Sequence, residues 1–302
     1  MSSAIDIAAS PGIVRAARRP PGWIAPGPRP AGPGDDPRLW PAPGEDLCHL
    51  AGDFRIFQRT GGHRWSLDDL VTAHFAAELH RSAPPAHFAD LGCGIGSVLM
   101  LLAWRFPDAC GFGVEAQAES VALARRSLAW NGIAERCRVL HGDLRDGATL
   151  ALAGETVDLV TATPPYLPLS DAVGSSDPQR LACRLETRGG VEAYCEAGAR
   201  LLGPGGRLVL CMTGGPEGRV ARGAAKAGLA IESWRDVVPR SGKDPLFGVF
   251  ALGRAAEVEP LGTLGTHEPL APLVVRDGRG AWSGEFRALR RAMGMPAGGG
   301  PS

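Results

Sequence analysis

The chain has 302 residues, with 32 basic and 32 acidic residues and an apolar content of 44%. This length allows one large domain with appendages or two small domains. The zero net charge gives no sign of a polyanionic partner, and no stretch reaches the roughly 20 apolar residues of a membrane span, so we expect a cytoplasmic protein. Its seven cysteines include no CxxC pair, which argues against a zinc ribbon, and their odd number argues against a secreted disulfide framework.

Residues 1–45 hold ten of the 26 prolines and little apolar periodicity. Because proline fixes φ and removes a hydrogen-bond donor, this segment is predicted to be a disordered or loosely wrapped tail. Organelle targeting, RNA binding and a start-site extension remain open as its role. We predict one domain over residues 46–294 and a disordered C-terminal end over residues 295–302.

Between these ends, strand patterns alternate with helix patterns. Strands are predicted at HFADLGCG, CGFGVEA, CRVLHGDL, TVDLVTATPPY, RLVLCM, AIESWRDVVP and PLFGVFALGR. Helices are predicted at SVLMLLAWRF, ESVALARRSLAWNG, VEAYCEAGARLLGPGG and GRVARGAAKAGL. This alternation predicts an α/β fold with a doubly wound, mostly parallel, seven-stranded Rossmann-like sheet and helices on both faces. Ligands of such sheets bind outside the carboxyl ends of the strands.

The first strand runs into a glycine turn, DLGCGIGS, which holds Gly92, Gly94 and Gly96. Glycines let the backbone approach a ligand closely, and the next helix presents its N-terminus to that ligand. A dinucleotide fingerprint would have glycine at the sixth position, where this chain has Ser97. A nicotinamide cofactor is therefore disfavoured.

Carboxylates lie at three strand ends around this turn. Asp90 precedes the turn, and Glu115 ends the second strand, where a carboxylate can accept from both hydroxyls of a ribose. Asp143 ends the third strand, where it can accept from an adenine amino group. Together these features favour S-adenosylmethionine (SAM) as the cofactor. The predicted cofactor-binding residues are Asp90, Gly92, Cys93, Gly94, Gly96, Glu115, Asp143, Leu144 and Thr163.

The fourth strand ends in TPPY, residues 163–166. Methyl transfer from a sulfonium depends mainly on holding the nucleophile in line with the methyl group. An amide or exocyclic nitrogen becomes a better nucleophile when acceptors bind its hydrogens, and the Pro164 carbonyl and the Thr163 hydroxyl can serve. Tyr166 would stack on a planar acceptor. We predict Thr163, Pro164 and Tyr166 as catalytic residues and Pro165 and Tyr166 as substrate-binding residues.

The stretch from HFADLGCGIGS to TPPY resembles class I SAM-dependent methyltransferases with a small methyltransferase domain. Those enzymes carry [ND]PP[YF] and modify adenine N6, guanine N2 or a glutamine amide. Three flanking segments resemble the bacterial valine-tRNA adenine-N6 methyltransferases, so that the likeness extends over about residues 53–294. They are FRIFQRTGGHRWSLDDLVTAHFA, SDPQRLACRLETRGGVEAYCEAGARLLGPGGRLVLCM and PLVVRDGRGAWSGEFRALRRAM.

The resemblance implies further site residues beside the glycine turn and the strand ends. Arg64, Trp65 and Asp68 would lie near the methionine end of the cofactor or in a flap over it. Arg180 and Arg184 would bind the phosphate backbone of a nucleic acid, with a solvated surface as the alternative role.

Thr163 departs from the family pattern, because its hydroxyl is shorter than an Asn side chain and has no amide carbonyl. The leading interpretation is methyl transfer to a planar nitrogen, adenine N6 of tRNA or another RNA, with RNA as the partner and no metal. Either the Thr163 hydroxyl suffices, at a reduced rate or on another acceptor, or N6 chemistry is lost. Alternatives are a protein-glutamine or small-molecule methyltransferase and a non-catalytic SAM-binding scaffold.

Overall fold

The computed structural model describes residues 12–154, 156–166, 185–257 and 269–298. Its strands are, in chain order, β1 (Ile13–Val14), β2 (Glu45–His49), β3 (Arg55–Arg59), β4 (His87–Leu91), β5 (Cys110–Glu115), β6 (Cys137–His141), β7 (Val157–Ala162), β8 (Leu202–Met212), β9 (Leu229–Val238), β10 (Phe247–Arg254) and β11 (Leu270–Val274). Its helices are α1 (Leu67–Leu79), α2 (Ser97–Arg105), α3 (Ala118–Trp130), α4 (Gly147–Ala151), α5 (Val191–Leu201), α6 (Arg219–Lys226) and α7 (Gly284–Ala292). None of these helices is long and apolar enough to cross a bilayer.

Strands β4 to β11 form one eight-stranded sheet in the order β11-β9-β10-β8-β7-β4-β5-β6. Its pairs are parallel except those that β10 makes with β8 and β9, so the doubly wound, mostly parallel prediction is confirmed. The sheet has one strand more than the predicted seven, because β11 adds to the edge beside β9. The sequence of β11, LAPLV, contains a proline and is mostly exposed, so it lacks the pattern of a buried strand.

The chain changes direction across the sheet at β4. From β4 it proceeds outward to β5 and β6, and it then returns to place β7 on the other side of β4. The carboxyl ends of β4 and β7 therefore flank the switch point, where α/β sheets form their ligand crevice. The glycine turn follows β4 and the TPPY stretch follows β7, so the topology brings these two sequence motifs together.

Two apolar cores cover the two faces of this sheet. Successive strand residues point to opposite faces, so Phe88 packs with one core and Ala89 with the other. The first core contains the buried residues of α1, α2 and α3, and the second contains those of α5 and α6. Helices on both faces leave the carboxyl edge of the sheet as the open side.

A second, three-stranded sheet in the order β1-β2-β3 packs beside α3. The side chain of Asn131, which follows α3, forms two hydrogen bonds with the backbone of Arg55. Its Oδ1 accepts from the Arg55 N–H and its Nδ2 donates to the Arg55 carbonyl, each at 2.8 Å. The ring of Phe57 meets Trp130 edge to face, with 6.2 Å between the ring centroids. These contacts attach the segment before β4 to the main domain.

The proline-rich segment lies along the domain over residues 12–45. Arg15 and Arg19 form ion pairs of 2.8 and 2.6 Å with Asp46 and Asp53, and the Gly32 N–H donates to the Trp130 carbonyl at 2.9 Å. The wrapped alternative therefore describes this part, and the prediction of disorder is wrong for it. Residues 1–11 lie outside the described residues.

The C-terminal end is also held at its start. Met295 is buried, and its N–H donates to the Arg290 carbonyl at 2.7 Å. The Arg290 side chain in turn donates to the Pro296 carbonyl at 2.9 Å. The predicted disorder from residue 295 onward is therefore wrong for these first residues, and residues 299–302 lie outside the described residues.

Candidate active site

A cavity of about 860 Å³ opens at the carboxyl ends of the strands, between the glycine turn, the TPPY stretch and the start of α1. Most of the predicted site residues lie in its wall. They are Gly92, Cys93, Gly94, Glu115, Asp143, Leu144, Thr163, Pro164, Pro165 and Tyr166. The glycine turn and the TPPY stretch, which are far apart in the chain, thus form one site, as the strand order requires.

The glycine turn is fixed to the end of β5. The Cys93 N–H donates to the Val114 carbonyl and the Gly94 N–H donates to Glu115 Oε2, each at 3.0 Å. Gly92 has φ of +63°, and a Cβ there would lie 2.6 Å from the Tyr194 hydroxyl. Gly94 has φ of +54° and no atom within 4 Å of the position that a Cβ would take. The turn therefore needs glycine at both positions and leaves open space at Gly94.

Glu115 lies at the end of β5 with both carboxylate oxygens bound by backbone N–H groups. Oε2 accepts from Gly94, and Oε1 accepts from Gln117 at 2.6 Å. Burial raises the pKa of this carboxyl, and the two backbone hydrogen bonds oppose that rise. A carboxylate has about four acceptor sites, so the group can still accept from the hydroxyls of a ribose.

Asp143 lies at the end of β6 and forms a bidentate ion pair with Arg145, with N–O distances of 2.7 and 3.0 Å. This arginine lowers the pKa of the Asp143 carboxyl. Arg188, which was not among the predicted site residues, also lines the cavity, and its positive charge acts to lower the pKa of both Asp143 and Glu115. Arg188 stands in an ordinary TRGG turn, so no motif identifies it.

Asp90 and Gly96 do not lie in the cavity wall. Asp90 is 1% exposed, accepts from the Thr161 hydroxyl at 2.9 Å and from the Leu99 N–H at 3.2 Å, and has a pKa that burial raises to about 7. A Cβ on Gly96 would lie 3.3 Å from the Cβ of Ala124 in α3. Both residues were predicted to contact the cofactor, whereas here they support the turn from behind.

The TPPY stretch forms the other end of the cavity. Pro164 and Pro165 are buried, and Thr163 is half-buried. The Tyr166 hydroxyl donates to Asp68 Oδ2 at 3.3 Å and lies 3.0 Å from the Cys211 sulfur. Its ring stacks on Phe247, with 6.4 Å between the centroids and an angle of 20° between the ring planes. Tyr166 is thus held as a rigid, partly exposed surface of the cavity.

The segment before α1 supplies the third side. Arg64 and Asp68 line the cavity, and Arg64 pairs with the fully buried carboxylate of Asp46 at 3.0 Å. Trp65 does not line the cavity. Its side chain packs against the core, and its backbone N–H donates to Gln58 Oε1 at 3.0 Å. Arg180 and Arg184 lie outside the described residues, so the phosphate contacts predicted for them stay a prediction.

Two further cavity residues were missed although one left a sequence signal. Asp69 is the third residue of α1, and its Oδ2 accepts the N–H of the N-cap residue Ser66 at 3.0 Å; burial raises the pKa of Asp69. The Ser-x-x-Asp spacing in SLDD is typical of such a capping box. Tyr194 projects from α5 toward Gly92, and no local pattern in the sequence indicates this long-range contact.

These residues fit SAM in the donor and acceptor groups that they present. The open space at Gly94 allows a ligand to approach the backbone, and Glu115 and Asp143 offer carboxylates suited to a ribose and to an adenine amino group. Tyr194, Leu144 and Ile95 add apolar surface to the same cavity.

Comparison with known proteins supports a methyltransferase. Residues 88–173 match the family model described as "Methyltransferase domain". The tRNA1(Val) (adenine(37)-N6)-methyltransferase of Porphyromonas gingivalis is 30% identical over 158 residues, which are 52% of this chain and 61% of that protein. The release factor glutamine methyltransferase of Caulobacter vibrioides is 32% identical over 197 residues, or 61% of this chain and 57% of that protein. The chain thus spans about three fifths of the length of these relatives.

The fold agrees with a solved structure, described as a predicted O-methyltransferase from Agrobacterium tumefaciens. The two share a TM-score of 0.55 at 22% identity, and the match covers 76% of this chain and 98% of that one. The resemblance to class I SAM-dependent methyltransferases is therefore confirmed: residues 88–173 match a methyltransferase domain, and the two relatives named above are methyltransferases.

Proposed function

We propose that the chain is a cytoplasmic SAM-dependent N-methyltransferase whose acceptor is a planar nitrogen, adenine N6 of tRNA or another RNA. One observation supports this above the others: the TPPY stretch lines the same cavity as the glycine turn, Glu115 and Asp143. A cofactor side and an acceptor side therefore meet in a single space. The domain that does this would span residues 46–294.

On the cofactor side, the turn at Gly92 and Gly94 would accommodate the ligand against the backbone, Glu115 would bind the ribose hydroxyls, and Asp143 would bind the adenine amino group. When bound, SAM supplies an electrophilic methyl group. Cys93 and Leu144 are buried in the cavity wall and would exclude water from it. Asp90 would act indirectly, by fixing the start of α2 through its hydrogen bond from Leu99.

On the acceptor side, the Pro164 carbonyl would accept from one hydrogen of the amino group and orient it. Tyr166, braced by Phe247, would provide a planar surface for a base. A base inside a helix would have to be unstacked, or already lie in a loop, to reach this cavity. Arg64 and Arg188 line the cavity and offer positive charge for a phosphate backbone, as Arg180 and Arg184 would.

The tRNA acceptor is favoured by the Porphyromonas relative, which is named as an adenine-N6 methyltransferase of tRNA. The Caulobacter relative, of similar identity, acts on a release factor glutamine, so a glutamine amide is the second candidate acceptor. Both acceptors are conjugated nitrogens with two hydrogens, which suits one site. A small-molecule acceptor and a scaffold that binds SAM without turnover are the remaining alternatives.

The test is transfer of tritium from labelled SAM into total tRNA and, separately, into total protein of a bacterial extract. We would compare the wild type with Glu115→Ala, which removes a cofactor ligand, and with Asp108→Ala, a matched acidic control in an exposed turn after α2. Label in tRNA with the wild type and the control, lost in Glu115→Ala, is the expected result. Label found only in protein would replace the RNA acceptor by a protein glutamine as the favoured acceptor. If SAM binds but no label is transferred, the non-catalytic SAM-binding scaffold would be the remaining alternative.

A further inference from the structure

The amine acceptor requires a hydrogen-bond partner that Thr163 supplies poorly. A planar amino group has two hydrogens, and its lone pair is directed at the methyl group when both are bound by fixed acceptors. The Pro164 carbonyl is one such acceptor. The Thr163 hydroxyl is short, and it can rotate and donate, so it constrains the second hydrogen weakly.

Asp68 is a carboxylate of the same cavity and contacts the TPPY stretch through Tyr166. It is the second residue of α1, and its side chain lines the same cavity as Thr163 and Pro164. Its Oδ2 accepts from the Tyr166 hydroxyl at 3.3 Å, and its Oδ1 accepts from the Ser66 hydroxyl. Two neighbours from different segments therefore hold the carboxylate at the TPPY stretch, and each oxygen keeps a lone pair for a ligand.

The neighbouring carboxylate, Asp69, has a different surrounding. It is 5% exposed, and its Oδ2 accepts the N–H of Ser66, the N-cap residue of α1. Burial raises the pKa of Asp69, which disfavours its charged form. The N-terminal end of a helix favours negative charge, and of the two residues Asp68 is the one that is less buried.

We infer that the Asp68 carboxylate takes the place of the missing Asn or Asp side chain at position 163 and binds the second hydrogen of the acceptor amine. This inference rests on the proposed function. In the step itself, the nitrogen lone pair forms a bond to the methyl carbon while the bond from that carbon to sulfur breaks, and its electron pair goes to sulfur. The proton that the nitrogen then loses passes to Asp68 and from there to water.

The experiment is a double-variant cycle in the tritium assay, with the SAM dissociation constant measured by calorimetry for every variant. Asp68→Ala should lower transfer about 100-fold, the range of a positioned acid–base group, with the SAM dissociation constant unchanged. Thr163→Asn restores an acceptor at position 163, so Thr163→Asn combined with Asp68→Ala should recover most of this loss. Asp68→Asn, which keeps one acceptor oxygen and the shape, should lose less than Asp68→Ala, and Asp108→Ala serves as the control.

Several results would overturn the inference. Equal transfer by Asp68→Ala and the wild type would show that Asp68 is not needed. A larger SAM dissociation constant in both Asp68 variants, with no recovery of methyl transfer by Thr163→Asn, would place Asp68 at the methionine end of the cofactor instead. No transfer by the wild type with SAM bound would remove the proposed function and this inference together, whereas the first two results leave the proposed function intact.

Discussion

Replacing Asp90 with asparagine should stabilise the protein above pH 7 and remove part of the pH dependence of its stability. The carboxyl group is 1% exposed, and burial raises its pKa from 3.8 to about 7, with a smaller contribution from the negative charge of Glu115. The hydrogen bonds from Thr161 and Leu99 lower the pKa but do not offset burial. The folded protein therefore holds this group in an environment that disfavours its charge.

The sign follows from proton linkage. Between about pH 4 and about pH 7, the folded chain keeps a proton on Asp90 that the unfolded chain has released, so the free energy of unfolding falls as the pH rises. The rise of the pKa from 3.8 to about 7 corresponds to about 4 kcal/mol. This contribution is complete below about pH 4 and is lost above about pH 7.

Asparagine can satisfy the same hydrogen-bonding partners without a buried charge. Its side-chain oxygen can accept from the Leu99 N–H, and its amide can donate to the Thr161 hydroxyl, which lies 3.3 Å from the Ala89 carbonyl and can donate to it. Because Asp90 does not line the cavity, SAM affinity should change little in Asp90→Asn.

The assay is urea unfolding of the wild type, Asp90→Asn and the exposed control Asp108→Asn, at several pH values from about 4 to about 8. Other groups also titrate in this range, so the informative quantity is the difference in unfolding free energy between variant and wild type. It should shift in favour of Asp90→Asn by about 4 kcal/mol between the two ends of the range. A difference that is independent of pH would refute the buried, proton-binding state of Asp90.

Two further predictions concern the cavity wall. Gly92→Ala should lower the stability by at least about 1 kcal/mol and weaken SAM binding, because φ is +63° and the new Cβ would lie 2.6 Å from the Tyr194 hydroxyl. Gly94→Ala is its matched control, with no atom near the Cβ, and equal thermal unfolding of the two variants would contradict the clash. Asp46→Asn should lower the stability at neutral pH by about 2 kcal/mol, since this buried carboxylate pairs with two arginines that hold its pKa below the ordinary value. That contribution is lost on acidification, so the unfolding free energies of the wild type and Asp46→Asn should converge as the pH falls below about 4. Parallel curves of unfolding free energy against pH would contradict the ion-paired state of Asp46.

The strand pattern was sufficient to predict which motifs meet in the site. Glu115 ends a strand and Gly94, Asp143 and Thr163 follow strands closely, and parallel strands of one sheet present their carboxyl ends at the same edge. The prediction of a shared site therefore needed only the order of strands and turns. The same pattern could not say which side of an element each residue faces, so Asp90 was expected in the cavity and lies behind the turn.

The proline-rich segment shows a second limit. Its residues have no period that a helix or strand would impose, so composition predicted a loose tail. It is held instead by ion pairs of Arg15 and Arg19 and by the close approach of Gly27 to Trp104. Such contacts depend on partners far along the chain, and a local pattern does not encode them.

The sequence by itself determined the α/β fold class, the glycine turn and the TPPY turn, because backbone preference and apolar periodicity are local properties. The tertiary structure alone decided that Asp68 reaches the TPPY stretch through Tyr166, that Arg188 shares the cavity with Glu115 and Asp143, and that Tyr194 covers Gly92. The physical reason is that side-chain contacts between separate elements are set by how the elements pack against one another.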